Sequence, residues 1–307
     1  KMGNKYGQAD VLYHLASLAL LRTRYEETMD LLGQSLEIRE TLGDNRGRAF
    51  SLSLKAELHR ERGEAYLAEK VYERALRLMR KVGSPEGEAA ILSGQATILR
   101  DRGKYDEALP LFQQAADILS DHGSVVGRAN VLTELAHLLR CRGDYGSAIA
   151  TYEEALELHG PTGDCLGQAD ILEGIALIRC DQGHLGEAEE LFRRSLTIRR
   201  RLEGTLAHAR GLTNLAVLEG QRGRVDEARK LYEESLELLV ALENKREIQK
   251  TLGCLATIHR NHGDYEAAHQ LIQEAYRFAR DLNDRRGMAI ALHQSAQLVE
   301  LRGDQDK

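Results

Sequence analysis

The chain repeats itself every 40 residues from end to end without an insertion or a deletion, and nothing else about it restricts the possible folds so far. One register holds Leu12, Leu52, Leu92, Leu132, Leu172, Leu212, Leu252 and Leu292. Four residues on stand Ala16, Ala56, Ala96, Ala136, Ala176, Ala216, Ala256 and Ala296. A glycine column follows at Gly63, Gly103, Gly143, Gly183, Gly223, Gly263 and Gly303, with Thr23 as its single exception. A module repeated this regularly has to bury its apolar face against copies of itself.

Each glycine of that column lies between two segments of helical period. In the fourth repeat the first segment is apolar at Leu132, Leu135, Ala136, Leu138 and Leu139, and the second at Ala148, Tyr152, Ala155, Leu156 and Leu158. Glycine ends the first helix because it reaches positive φ without steric cost. Acidic pairs such as Asp106-Glu107 and Asp226-Glu227 suit the N-terminus of the second. A second turn, as at Leu42-Gly43-Asp44, closes the module, so glycine here is punctuation and no stretch reads as a phosphate loop. Small residues at Ser35, Ala75, Ala115, Ala155, Ser195, Ser235 and Ala275 allow close helix approach. Bulky Tyr72, Phe112, Tyr152, Phe192 and Tyr232 fill the space opposite.

Composition agrees with a helical array and removes other classes. Only 5% of the 307 residues are aromatic and three are proline, against what a sandwich or barrel requires. The 42 Lys plus Arg against 48 Asp plus Glu leave a net charge of −6, so no basic field draws the chain to nucleic acid. No apolar run approaches a membrane span, and no signal peptide opens the sequence. Four cysteines in no CxxC arrangement fit a reducing, cytoplasmic setting.

The spacing Leu132-x2-Leu135-Ala136-x2-Leu139-x3-Gly143-x-Tyr145-x2-Ala148-x3-Tyr152-x2-Ala155 resembles the tetratricopeptide (TPR) signature. Leu replaces the large aromatic expected early in that motif, and each module carries six residues beyond the usual 34. The longer form resembles repeats of Pins/LGN adaptors, of kinesin light chains and of the C-terminal arrays of STAND-type signalling ATPases. The resemblance implies an all-α, right-handed superhelical solenoid of antiparallel helix hairpins. The residue after the first-helix Leu-Gly pair of Pins/LGN repeats is usually Asn; here that register reads Ser17, Glu57, Thr97, His137, Leu177, Val217 and Thr257, so the ligands of those adaptors do not carry over.

Read by period, the chain is a single solenoid over residues 1–307, with seven full repeats over 7–286 and a lone first helix over 287–302. Met2-Gly3-Asn4-Lys5-Tyr6-Gly7 aligns with the turn Leu42-Gly43-Asp44-Asn45-Arg46-Gly47, and Gly303-Asp304 with the turn Gly263-Asp264. Both ends therefore read as cuts in a longer protein.

The first helix of each hairpin gives two stripes to its neighbours and keeps one free, which the resemblance places on a concave groove. Its central members are Ser53, Glu57 and Arg60, then Ser93, Thr97 and Arg100, then Asn130, Thr133, His137 and Arg140. Arg60, Arg100 and Arg140 share one register, about 10 Å apart if repeats stack at helix-packing distance. An extended peptide rises about 3.3 Å per residue, so acidic groups at every third position would meet successive guanidinium forks. Two readings of the column stand: an anionic-peptide groove with hydroxyl, amide and imidazole groups beside it, or cations that suit the last helical turn, partly neutralised by Glu61 and Asp101. A second column, Arg22, Arg62, Arg102, Arg142 and Arg222, fits the latter.

Other constellations read as structure. His259 and His262 have no ligand set beside them, Cys141 and Cys180 lie at nearly one register in adjacent repeats as inert thiols, and His137 with Glu134 and Arg140 lacks a nucleophile. G-x-x-x-x-G-K-[ST], H-E-x-x-H and G-x-S-x-G do not occur. The expected function is a non-catalytic protein–protein interaction scaffold that grips a peptide or partner segment, with no cofactor and no metal. The alternative is a ligand-sensing or autoinhibitory array of a larger signalling protein, whose partner would be another domain of its own chain.

Overall fold

A computed structural model describes residues 2–201 and 205–305. The described residues form fifteen α-helices and no strand. The first helices of the hairpins (A helices) are α1 (Met2–Leu21), α3 (Asn45–Glu61), α5 (Pro85–Asp101), α7 (Val125–Arg142), α9 (Cys165–Asp181), α11 (Leu206–Gln221), α13 (Lys245–Asn261) and α15 (Arg285–Gln305). The second (B) helices are α2 (Tyr25–Thr41), α4 (Ala65–Val82), α6 (Tyr105–Asp121), α8 (Tyr145–Thr162), α10 (Leu185–Arg200), α12 (Val225–Ala241) and α14 (Tyr265–Asp281).

The 40-residue period becomes a 20-residue pulse of left-handed backbone. Positive φ recurs at Thr23, Gly43, Gly63, Gly83, Gly103, Gly123, Gly143, Gly163, Gly183, Gly223, Glu243, Gly263 and Asn283. Each residue ends one helix so that the next can turn back, and at Thr23, Glu243 and Asn283 a side chain bears a strain that glycine avoids. Immediately before several A helices a polar cap takes over: Asp44 accepts from the Gly47 amide at 2.8 Å and Asp284 from that of Gly287 at 3.0 Å.

The molecule divides into two compact units, one ending at Ile178 and one beginning at Arg179. In the N-terminal unit a core of Phe112, Ala136, Leu138, Tyr152 and Ile171 joins successive hairpins. The small-residue register closes it, since Ala16, Ala56, Ala96 and Ala136 are fully buried. The bulky register fits into gaps left by its neighbours: a Cβ at Gly94 would lie 2.5 Å from the Tyr72 hydroxyl, and Gly174 stands the same way to Tyr152. Along this unit α1 touches α3, α3 touches α5 and α5 touches α7, whereas no two of its B helices meet to the same extent. The hairpins therefore converge on the A-helix side. The C-terminal unit packs around Ala209, Leu239, Ile248 and Leu252, and around Ala256, Ala268, Ile272 and Leu298.

Two expected turns do not form. The backbone is already helical at Met2 and Gly3 in α1, and α15 continues past Gly303 to Gln305. Among the described residues no further helix stands at either place for a turn to lead into, and each residue that continues the helix adds a backbone hydrogen bond. Ala296, unlike its seven equivalents, is exposed, together with Ile290, Leu292 and Val299 on the same helix.

Candidate peptide-binding face

The convergence of α3, α5 and α7 brings the free stripes of three repeats edge to edge. Steps of three and four along each helix keep Ser53, Glu57 and Arg60 on one face of α3, Ser93, Thr97 and Arg100 on α5, and Asn130, Thr133, His137 and Arg140 on α7. The structure links these faces by charge. Arg60 reaches Glu57 at 3.3 Å and Glu61 at 2.8 Å within α3, then Asp101 of α5 at 3.3 Å. Arg100 lies 3.4 Å from the same Asp101 and donates to Glu134 of α7 at 2.6 Å. One row of alternating sign, Glu57–Arg60–Asp101–Arg100–Glu134, thus crosses three repeats.

Burial opposes the charge on Arg60, but Glu57, Glu61 and Asp101 outweigh it and raise the guanidinium pKa. Burial likewise opposes Arg100, and Glu134 with Asp101 raises it. Both arginines stay charged, and both are half-buried while Asp101 and Glu134 face solvent more fully. At Arg60 and Arg100 the arginine register therefore makes inter-repeat ion pairs as well as placing cations at helix ends.

Aromatic hydroxyls support the row from below. Tyr72 of α4 donates to Glu57 Oε1 at 3.0 Å, and burial followed by the Glu57 charge raises its phenol pKa far above the ordinary value. Tyr152 of α8 and His137 Nδ1 lie 2.7 Å apart with their rings edge to face. Burial, with Arg100 and Arg140, lowers the His137 pKa against the opposing pull of Glu134, so the imidazole is neutral at pH 7.

The remaining expected residues divide. Ser53, Thr97 and Thr133 give their hydroxyl protons to carbonyls of their own helices, Ala49, Ser93 and Ala129, at 3.0, 3.0 and 2.9 Å. Thr133 is also buried, so it lies beneath the face and not on it. Ser93 is half-buried and Asn130 exposed. The second arginine column serves a separate purpose. Arg62 pairs with Glu26 at 3.2 Å, Arg142 with Asp106 at 3.5 Å, Arg102 with Glu69 and Arg222 with Glu189. Each pair ties the end of an A helix to the B helix before it.

The sequence left some of this unread. Glu134 and Asp101 act across 34 and 41 residues of chain, and only the stacking of helices reveals those pairings. The signal was an acid of the following repeat lying near each arginine in register. Among the described residues no group of three or more His, Cys, Asp or Glu side chains is placed to hold a metal ion, and His259 instead pairs with Asp264 at 3.0 Å. The four cysteines are free, Cys141 and Cys165 exposed, Cys180 and Cys254 half-buried. No helix is long and apolar enough to cross a membrane among the described residues.

A family model described as tetratricopeptide repeat matches the chain five times, over residues 7–81, 48–121, 87–159, 127–201 and 167–240. A model described as anaphase-promoting complex subunit 5 matches residues 241–302. No curated protein matches the sequence. Among solved structures, a Rap protein complexed with Competence and Sporulation Factor is 13% identical, with 98% of this chain and 99% of that one covered and a TM-score of 0.62. BtubC (BKLC) from P. vanneervenii is 21% identical, over 74% of this chain and 92% of its own, with a TM-score of 0.56. A kinesin light chain-type array of TPR-like repeats from Podosopora anserina is 17% identical, over 65% and 97%, with a TM-score of 0.50. These likenesses are of fold.

Proposed function

The chain belongs to the tetratricopeptide repeat family, and from that premise we propose that it is a non-catalytic interaction scaffold whose A-helix face over α3, α5 and α7 binds an extended segment of a protein partner. One observation carries the reading: the row Glu57–Arg60–Asp101–Arg100–Glu134 spans three repeats on the side where the hairpins converge, and the apolar packing does not consume it. Each guanidinium already has a carboxylate beside it, so an acidic side chain of the partner would replace Asp101 or Glu134, whose side chains are exposed enough to swing aside. Exposed ion pairs contribute only about 0–1 kcal/mol, so the exchange costs little. Asn130, Ser93 and the imidazole of His137, whose Nδ1 is held by the Tyr152 hydroxyl beneath it, add neutral donors and acceptors for the peptide backbone. The Rap protein solved with Competence and Sporulation Factor offers a precedent, at the level of fold alone, for partner binding by an array of this extent. A ligand-sensing array within a larger signalling protein would use the same face, with the segment supplied by another domain.

A peptide library tests the proposal. About 12 extended residues span roughly 40 Å, enough for three repeats. Peptides enriched on the purified chain from such a library are expected to bind the Arg100→Ala/Arg140→Ala variant at least about tenfold more weakly, the loss of one charged hydrogen-bonded contact or more. Equal affinities by fluorescence anisotropy would remove this face as the binding site.

A further inference from the structure

The C-terminal unit departs from its own period at one place. Every other A helix with a side-chain cap takes it at one register, at Asp44, Ser84, Asp164, Asn244 and Asp284. In α11 the cap falls one residue later, at Thr205, which accepts from the His208 amide at 3.2 Å. Gly211 follows where six of the other repeats hold Ser51, Ile91, Val131, Ile171, Thr251 and Ala291 as buried side chains. A Cβ at Gly211 would stand 3.3 Å from Leu196 Cδ1, so Leu196 leans over that glycine. Between α10, α11 and α12, beside His208 and Leu212 of this stretch, lies a cavity of about 300 Å³, at the small end of the range for ligand sites.

Its lining is chemically mixed. Leucines that include Leu212 and Leu231 form an apolar floor. Into it faces His208, only 6% exposed, whose Nδ1 is buried without a hydrogen-bond partner. Burial lowers the pKa of this imidazole, Arg200 and Arg199 lower it further, and Glu234 opposes them, so at pH 7 the ring is neutral. Arg200 and Glu234 also line the cavity, both exposed, and among the described residues neither has an ion-pair partner. This contrasts with Arg193 on the same wall, held by Glu189 at 3.0 Å and Glu219 at 3.5 Å. A buried unpaired nitrogen is costly, and natural structures leave few such groups unsatisfied.

We propose that this cavity binds a small zwitterion with an apolar body, in the size class of a free leucine or methionine. The guanidinium of Arg200 takes the carboxylate, Glu234 takes the ammonium, His208 Nδ1 supplies the missing hydrogen bond and the leucine floor receives the side chain. Neither an anion nor a cation alone uses both charges, and an uncharged hydrocarbon leaves His208 unsatisfied.

Isothermal titration of the purified chain with L-leucine and L-methionine tests this, beside two fragments of leucine: isopentylamine, without the carboxylate, and 4-methylpentanoate, without the ammonium. Saturable one-to-one binding of the amino acids is expected, at least about tenfold tighter than either fragment, since each missing ion pair is a charge-assisted contact. Arg200→Ala and Glu234→Ala lie at the surface and keep the fold, which an unchanged melting temperature verifies; each is expected to weaken binding by about tenfold, whereas Arg100→Ala in the other unit leaves it unchanged. Absence of saturation at millimolar amino acid, or binding that the Arg200 and Glu234 substitutions do not alter, would overturn the assignment. So would a fragment that binds as well as the whole molecule.

Discussion

At the scale of single residues, the period shows what a position tolerates, because each site has up to seven equivalents in the same chain. The register of Arg39 is instructive. Arg39, Met79, Leu119, His159, Arg199, Leu239 and Ala279 are all buried there, each near the start of the next A helix. Arg39 is satisfied by three contacts, to Ser35 at 3.2 Å, Asp10 at 2.7 Å and Asp44 at 3.4 Å. Buried ion pairs replaced by apolar residues of similar volume are often neutral or stabilising. Asp10 is exposed and Asp44 keeps the Gly47 amide, so Arg39→Met, which copies Met79, strands no fully buried charge and is expected to change the unfolding free energy by no more than about 1 kcal/mol. Arg39→Ala leaves a cavity and is expected to cost about 2–3 kcal/mol. Urea denaturation of both variants checks the pair. Three charged or titratable residues in a core register were not legible beforehand, because the period identifies a shared place and not what each residue finds there. The row at Arg60 and Arg100 was half legible. The arginines and Asp101 stood out by register, while the link to Glu134 depends on how α7 lies beside α5.

At the scale of elements, the sequence was most informative. Glycine at fixed steps located the hairpin turns, and the backbone turns through positive φ there, including at three residues that are not glycine. The expectation failed at Gly3 and Gly303, where the same residue type stays helical because no described helix packs back beyond it. A glycine permits a turn, and the turn forms when tertiary packing rewards it. One helix carries a visible local conflict: Pro110 lies inside α6 and is exposed. It removes the amide that would bond to the Asp106 carbonyl. Pro110→Ala restores that bond and is expected to stabilise the protein by about 1–3 kcal/mol, read as a higher denaturation midpoint at unchanged slope. The second arginine column is another element-level device, joining A-helix ends to the preceding B helices through exposed pairs. Its value is register between hairpins more than net stability, since pairs this exposed contribute little.

At the scale of the whole molecule, a repeated module solves folding by copying and leaves function to the positions that vary. The Leu, Ala and Gly registers are nearly constant through the chain, whereas the free stripe changes in every repeat, from Ser53-Glu57-Arg60 to Asn130-Thr133-His137-Arg140. Side chains that change from repeat to repeat along this face suit recognition of an irregular ligand, which a scaffold that only spaced its ends would not need. In the C-terminal unit the cap and the Gly211 register change together at α11, and the cavity lies beside that stretch, lined by His208 and Leu212. Such a cavity escapes sequence reading because its walls come from three helices whose packing brings Arg200, His208 and Glu234 together. Site-specific photo-crosslinking tests the central claim most directly. With a benzophenone side chain introduced at exposed Asn130 of α7 or at exposed Gln113 of α6, a library-selected peptide is expected to be captured from position 130 and not from 113. Capture from 113 with none from 130 would place recognition on the B helices and contradict the account.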